Sequence, residues 1–369
     1  MDEEIKILRK GLSTQAFEYP LKSHENKNYH RTLELKLSLY TEKIDNLPNN
    51  FPLINKIKEQ LDNIKLLNKN LLDIINKYLW GSQKGTTESF QELIENSFLK
   101  NILLNLSENI EKENKTKQKL FRLRQSETDL IERNQMFHIP FSCRHLVANQ
   151  RYSIAGLPCL YLGSSIYVSW LELNRPNLSN IFISGYKSTN SLSVLNLAYD
   201  LNLIIDEFEK SIISENQFIE KLVLWPLVMA CSFQIKYPNA PFHEEYIIPG
   251  LLLEWITFES KNIQGLKYLS TKITSLNKYS YGINFVFPPQ DKNDKYKFCP
   301  VLEKNFTLTK PLSWDLLTIL PPADVVALGS GIKAENLEDA LLDNYDASRF
   351  GFVEQQVYSM KFDYIKQSG

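Results

Sequence analysis

The sequence predicts an α+β protein in which a helical N-terminal region, residues 1–118, precedes a mixed domain, residues 119–369. Three observations carry this. Apolar residues recur at three- and four-residue steps in the first third, Ile54, Ile57, Leu61, Ile64 and then Leu71, Leu72, Ile75, with Lys, Glu, Asp and Asn between them. Short strand-like runs appear only later: Cys159-Leu160-Tyr161-Leu162, Ile181-Phe182-Ile183-Ser184, Leu192-Ser193-Val194-Leu195 and Ile283-Asn284-Phe285-Val286-Phe287. Between the two lies Glu111 to Lys119, polar throughout, as a natural boundary.

Taken in order, the helical pattern runs from about residue 30 to 118, interrupted by a turn at Gly81 to Thr87, with a second helix from about Ser89 to Glu111. The apolar run Leu222 to Phe233, with Trp225-Pro226 inside it, reads as core. His243-Glu244-Glu245 reads as a solvated turn, and Glu335 to Leu342 as an amphipathic helix. No internal repeat or low-complexity tract is present.

Composition excludes several classes. A formal net charge of -1 over 369 residues offers no electrostatic argument for nucleic acid or an anionic membrane. The N-terminus is acidic without an apolar signal core, and no run has the length of a membrane span, which predicts a cytoplasmic protein. Cys143, Cys159, Cys231 and Cys299 lie far apart with no metal-ligand spacing, so reduced thiols and no metal site are expected.

The chain prefers lysine, thirty-three against nine arginines, yet between Arg122 and Arg175 the preference inverts. Arg122, Arg124, Arg133, Arg144, Arg151 and Arg175 fall there without one lysine. Guanidinium is a planar, permanently charged fork suited to phosphate or carboxylate, and it is also the easier cation to bury in an ion pair. The two readings are a phosphate-bearing ligand and a set of structural pairs. No glycine-rich phosphate loop accompanies them.

In this interval Gly156-Leu157-Pro158 reads as a turn, Cys159 to Leu162 as a buried strand, and Gly163-Ser164-Ser165 as a strand end and helix cap. The helix runs to about Leu173, because Asn174-Arg175-Pro176 stops it. Glu172 shares a helix face with Ser165, Val168 and Ser169. A lone carboxylate in so apolar a segment needs a partner or exposure. Arg151 is the candidate, either as a structural ion pair or as the opposite wall of a cleft, with Tyr161 between them.

These residues carry a resemblance. Phe121-Arg122-Leu123-Arg124, Gln150-Arg151-Tyr152-Ser153, Leu160-Tyr161-Leu162 followed by Glu172, and Gly265-Leu266-Lys267-Tyr268-Leu269-Ser270 are similar to successive motifs of the RES domain family. Met136 to Phe141, Leu224 to Leu227 and Glu245 to Pro249 resemble its longer members, so the likeness covers about residues 120–300. Arg151, Glu172 and Ser270 match the three namesake positions, and Arg122 the arginine of the first strand.

The resemblance implies an ADP-ribosyltransferase-like fold and a toxin or effector that consumes NAD+ as a substrate, with no resident cofactor, in toxin–antitoxin or phage-defence growth arrest. It implies hydrolysis, phosphorolysis, or transfer of ADP-ribose to a protein. Glu172 would stabilise the ribose cation as nicotinamide leaves; Arg151 and Arg122, with Arg124, would hold the pyrophosphate. Tyr161 would stack on or enclose nicotinamide, with Tyr152 beside Arg151. Ser270 would bond ribose or phosphate, or orient Glu172. An antitoxin-like partner and self-association are further expectations; nucleic acid and membrane are not.

Two other classes compete. Arg133-x4-His138 resembles the catalytic spacing of HEPN ribonucleases, although His138-Ile139-Pro140 reads as a helix exit. A non-catalytic interaction protein is the other.

Overall fold

The computed structural model describes residues 2–111, 118–273, 280–291, 295–318 and 341–365. In chain order the helices are α1 (Asp2–Leu12), α2 (Tyr29–Asp45), α3 (Pro52–Glu59), α4 (Leu61–Leu79), α5 (Gln83–Glu95), α6 (Ser97–Asn105), α7 (Ile166–Glu172), α8 (Leu201–Glu209), α9 (Glu215–Cys231), α10 (Ile247–Phe258), α11 (Pro300–Asn305), α12 (Trp314–Thr318) and α13 (Arg349–Ser359). The strands are β1 (Ser107–Ile110), β2 (Leu120–Gln125), β3 (Leu160–Gly163), β4 (Ile181–Ser188), β5 (Leu192–Leu197), β6 (Gly265–Leu269), β7 (Ile283–Phe287), β8 (Phe306–Leu308) and β9 (Leu312–Ser313). Helices and strands in these proportions make a mixed α and β fold.

The chain groups into two compact units that differ from the linear division at 118/119. The first comprises Met1–Glu108, Gln150–Ile154 and Leu195–Asn262; the second comprises Asn109–Asn149, Ala155–Val194 and Ile263–Gly369. The reason lies in α8, α9 and α10. These apolar helices need partners, and α9 packs on α4 while α8 packs on α1.

Within the first unit the predicted stripe is buried, Ile54, Ile57, Ile64, Leu71 and Ile75 among it. Its helix boundaries differ from expectation. The turn is confined to Gly81 and Ser82, Gly81 taking a left-handed φ of 80°. Helix α5 then starts at Gln83, where the Ser82 main-chain oxygen accepts both the amide and the hydroxyl of Thr86. The expected second helix breaks at Asn96, whose side chain accepts from the Phe98 amide and restarts the helix as α6. It ends before β1, short of Glu111. Trp225 is fully buried, as a core residue should be.

Glu244 and Glu245 are not a solvated turn. They form a short 3-10 helix in which buried Glu245 accepts from the Lys236 amide and Glu244 from that of His30. The predicted helix at Glu335 to Leu342 lies almost wholly outside the described residues, as does most of the 111–119 boundary.

The strand order is β1-β5-β6-β7-β3-β2-β4-β8, with β9 added to β4. From β6 to β8 the pairings are antiparallel, and one is very short. Strands β2 and β3 share only Phe121↔Gly163, whereas β2 and β4 pair along six positions. On the Leu160–Leu162 side of this bridge the two strands part. Helices α7, α12 and α13 cover one face, burying Phe121, Leu123, Ile166, Ile183, Trp314, Val353 and Val357 together.

Candidate active site

The site is built on the strand, turn and helix around Gly163. Strand β3 ends there, and a Cβ at this position would meet Val168 Cγ1 at 2.8 Å, the Ser165 oxygen at 3.1 Å, and Ser169 Oγ. Glycine is what lets α7 lie directly on the strand it leaves. Gly163→Ala is therefore expected to lower stability by roughly 1–3 kcal/mol through overpacking, read in denaturant unfolding.

The start of α7 is held from three sides. Ser165 Oγ accepts from the Val168 amide at 2.9 Å and donates to the Tyr281 oxygen at 2.7 Å. Ser164 exchanges bonds with the main chain of Ile283 at 2.8 and 3.1 Å. Glu354, buried on α13, accepts from the Ile166 amide at 2.8 Å and the Tyr345 hydroxyl at 2.6 Å. The helix stops as predicted: Asn174 and Arg175 take left-handed φ of 63° and 55° before Pro176.

Burial pushes the Glu354 carboxyl up to about 7, above its ordinary 4.5, against the pull of the Tyr345 and Ile166 donors. With the folded value raised, Glu354 contributes stability that is fully present below about 4.5 and lost as pH rises through about 7. The Glu354→Gln variant is expected to lack this decline. The difference between variant and wild type across that window reaches about 3 kcal/mol at most, at about 1.4 kcal/mol per pKa unit, measured by unfolding at several pH values.

At the other end of α7, Glu172 presents its carboxylate, with the side chain 37% exposed. Its Oε1 accepts from Ser270 Oγ at 2.6 Å and from Asn284 Nδ2 at 2.7 Å. Both donors are buried, Ser270 at the end of β6 and Asn284 on β7. Lys272 Nζ lies 3.5 Å from Oε2 and donates to the Glu172 main-chain oxygen and to Asn174 Oδ1, each at 2.9 Å. The structure thus joins Glu172 and Ser270, two of the predicted residues, and adds Asn284 and Lys272, which sequence reasoning missed. The signal for Asn284 was available: one amide in the otherwise apolar run Ile283 to Phe287.

The arginines are held chiefly by main-chain oxygens. Arg122 donates to the Tyr161 oxygen at 2.9 Å where β2 and β3 part, replacing a ladder bond. Strand alternation roots it on the face opposite Phe121 and Leu123, and so opposite α7. No carboxylate pairs with it among the described residues, and burial lowers its pKa. Arg124 is exposed and donates to the Gln135 oxygen at 2.6 Å. Arg144 donates to the Gly156 oxygen at 3.0 Å. Arg175 is exposed. Tyr161 is half-buried, its phenol raised well above 10 by burial and by neighbouring Cys159 and Tyr268.

Arg151 and Tyr152 belong to the first unit. Arg151 is buried, donates to the Cys231 oxygen at 3.1 Å and lies 5.4 Å from the Tyr246 ring centre. Cys231 is the last residue of α9, so the guanidinium meets the negative end of that helix dipole. Tyr152 is buried beside the Cys231 thiol, whose pKa burial pushes up to about 12.

The ribonuclease pair is occupied otherwise. Arg133 donates to the Leu308 oxygen at 2.7 Å and the Lys361 oxygen at 3.3 Å. His138 is 1% exposed. Its Nε2 accepts from the Cys299 amide at 2.9 Å, which places the ring proton on Nδ1, 2.8 Å from the Ile139 oxygen. Burial lowers its pKa to about 4. No helix of the described residues is long and apolar enough to cross a membrane, and among those residues no three His, Cys, Asp or Glu gather as a metal site.

Over 208 residues the chain is 35% identical to a protein of Bacillus subtilis (strain 168) named "Putative toxin YopC", a stretch covering 53% of this chain and 46% of that protein. The chain spans about half the length of this curated relative. No protein-family profile matches the chain, and no solved structure matches it.

Proposed function

We propose that the chain is a toxin that consumes NAD+ by cleaving the bond between nicotinamide and ribose, in the manner of the RES domain and on an ADP-ribosyltransferase-like fold. The observation that carries this is the Glu172 carboxylate. It stands partly exposed at a helix end, with one oxygen held by two buried donors. Such a group suits an oxocarbenium-like transition state, in which positive charge builds on the ribose as the bonding electrons move to the nicotinamide ring. The leaving nitrogen is already cationic, so no strong general acid is required. The name of the 35% identical relative supports the toxin reading.

Arg122 is the second support. A guanidinium with no carboxylate partner among the described residues, set where two strands part, suits a pyrophosphate. Tyr161, on the strand beside it, suits the nicotinamide ring. Arg151, Tyr152 and Arg124 enter by resemblance alone. The acceptor is water, phosphate or a protein side chain, and a protein inhibitor would restrain the reaction. The test is to incubate the purified chain with NAD+, with and without phosphate, and identify the products. Absence of free nicotinamide under every condition sinks the reading. The His138 contacts favour no ribonuclease.

A further inference from the structure

We infer that Asn284 is a positioning residue for Glu172: together with Ser270 it fixes one carboxylate oxygen, so that Oε2 is the oxygen offered to substrate. The inference rests on the proposed NAD+ chemistry for its catalytic meaning and on geometry for its contact. Asn284 is buried on β7, opposite Gly163 on one side and Tyr268 on the other. A buried amide on a central strand demands partners. Its Nδ2 donates to Glu172 Oε1 at 2.7 Å, and Ser270 Oγ donates to that same atom at 2.6 Å.

Both donors converge on one oxygen. A carboxylate gripped in this way keeps its second oxygen in a fixed direction, and Oε2 is left with Lys272 Nζ at 3.5 Å, the place a developing cation would compete for. The approach depends on Gly163, since Asn284 sits across from it and a bulkier residue there would lift α7 away. Ser270 and Asn284 come from neighbouring antiparallel strands, so the pair is as rigid as the ladder between β6 and β7.

The test uses Asn284→Leu and Asn284→Asp in the full chain. Asn284→Leu is expected to lower kcat for nicotinamide release roughly ten- to a hundred-fold with KM little changed, because misplacement acts on the transition state. Asn284→Asp carries a sharper signature. In its protonated form the new acid donates to Oε1 as the amide did; once ionised it repels Glu172. Activity is therefore expected to be retained in acid and to fall on an alkaline limb that wild type lacks. Melting temperature gives a readout independent of activity. Asn284→Asp should lose stability as pH rises, and adding Glu172→Gln should lessen that loss, leaving the part due to burying the new carboxylate.

A wild-type pH profile in Asn284→Asp, or melting curves indifferent to Glu172→Gln, would overturn the inference. A chain that releases no nicotinamide yet shows the coupling overturns the NAD+ reading and leaves Asn284 as the group that holds Glu172.

Discussion

Replacing Glu172 by glutamine is expected to slow nicotinamide release by roughly 10²–10³-fold while leaving the melting temperature within a few degrees of wild type. The two effects separate because of where the residue sits. Its carboxylate is partly exposed at the C-terminal end of α7, where the helix dipole disfavours a negative charge, so removing the charge costs the fold little. Glutamine keeps an acceptor for Ser270 and Asn284, so neither buried donor is orphaned. What it lacks is the negative charge that would face a ribose cation in the proposed reaction. Glu172→Ala is expected to lose activity equally and stability slightly more, by about 1 kcal/mol, as the two donors lose their acceptor. Nicotinamide release followed beside thermal unfolding checks both halves; activity in Glu172→Gln within tenfold of wild type would remove Glu172 from the chemistry.

The largest stability effect is expected at His138. Its Nε2 is the acceptor for the buried Cys299 amide, and its ring packs at 5.0 to 5.4 Å from Phe137, Phe141 and Phe298. His138→Ala orphans that amide and leaves a void among three aromatic rings, an expected loss of about 3 kcal/mol. The pH dependence has a definite sign. With the folded pKa lowered to about 4 from 6.5, His138 contributes stability that is present above about 6.5 and lost as pH falls through about 4. Glu354 works in the opposite direction over much of this range, so Glu354→Gln should steepen the acid-side loss of stability. Denaturant unfolding of wild type, His138→Ala and Glu354→Gln between pH 4 and 8 would show this. A His138→Ala chain as stable as wild type would refute a structural histidine and reopen the ribonuclease motif.

Much of the local architecture was legible. The strand ending at Gly163, the serine cap, the helix carrying Glu172 and its stop at Asn174-Arg175-Pro176 all follow from residues adjacent in sequence. One boundary failed where a single side chain outweighed a pattern: Asn96 broke a helix that periodicity alone would have continued. Another failed with no side-chain cap at all, since α5 begins at Gln83, within the stretch that Gly81 and Gly85 suggested was a turn.

The arginine inversion was visible in composition, yet its meaning was not. Sequence offered phosphate or carboxylate as partners; Arg122, Arg124, Arg133, Arg144 and Arg151 each donate to a carbonyl oxygen. A guanidinium takes whatever acceptor the folded backbone leaves unpaired, and no local pattern records where strands part or helices end.

The sequence by itself determined the local frame of this protein: which stretches coil or extend, where α7 begins and ends, and that Glu172 is an isolated charge needing a partner. Those properties follow from capping, chain stiffness and apolar spacing, which act over a few residues. Only the tertiary structure decided the partners. Ser270 and Asn284 reach Glu172 from 98 and 112 residues away, and α8 to α10 join helices near the start of the chain. Such contacts are set by strand order and by which apolar faces remain to be covered, and both arise only when the whole chain packs.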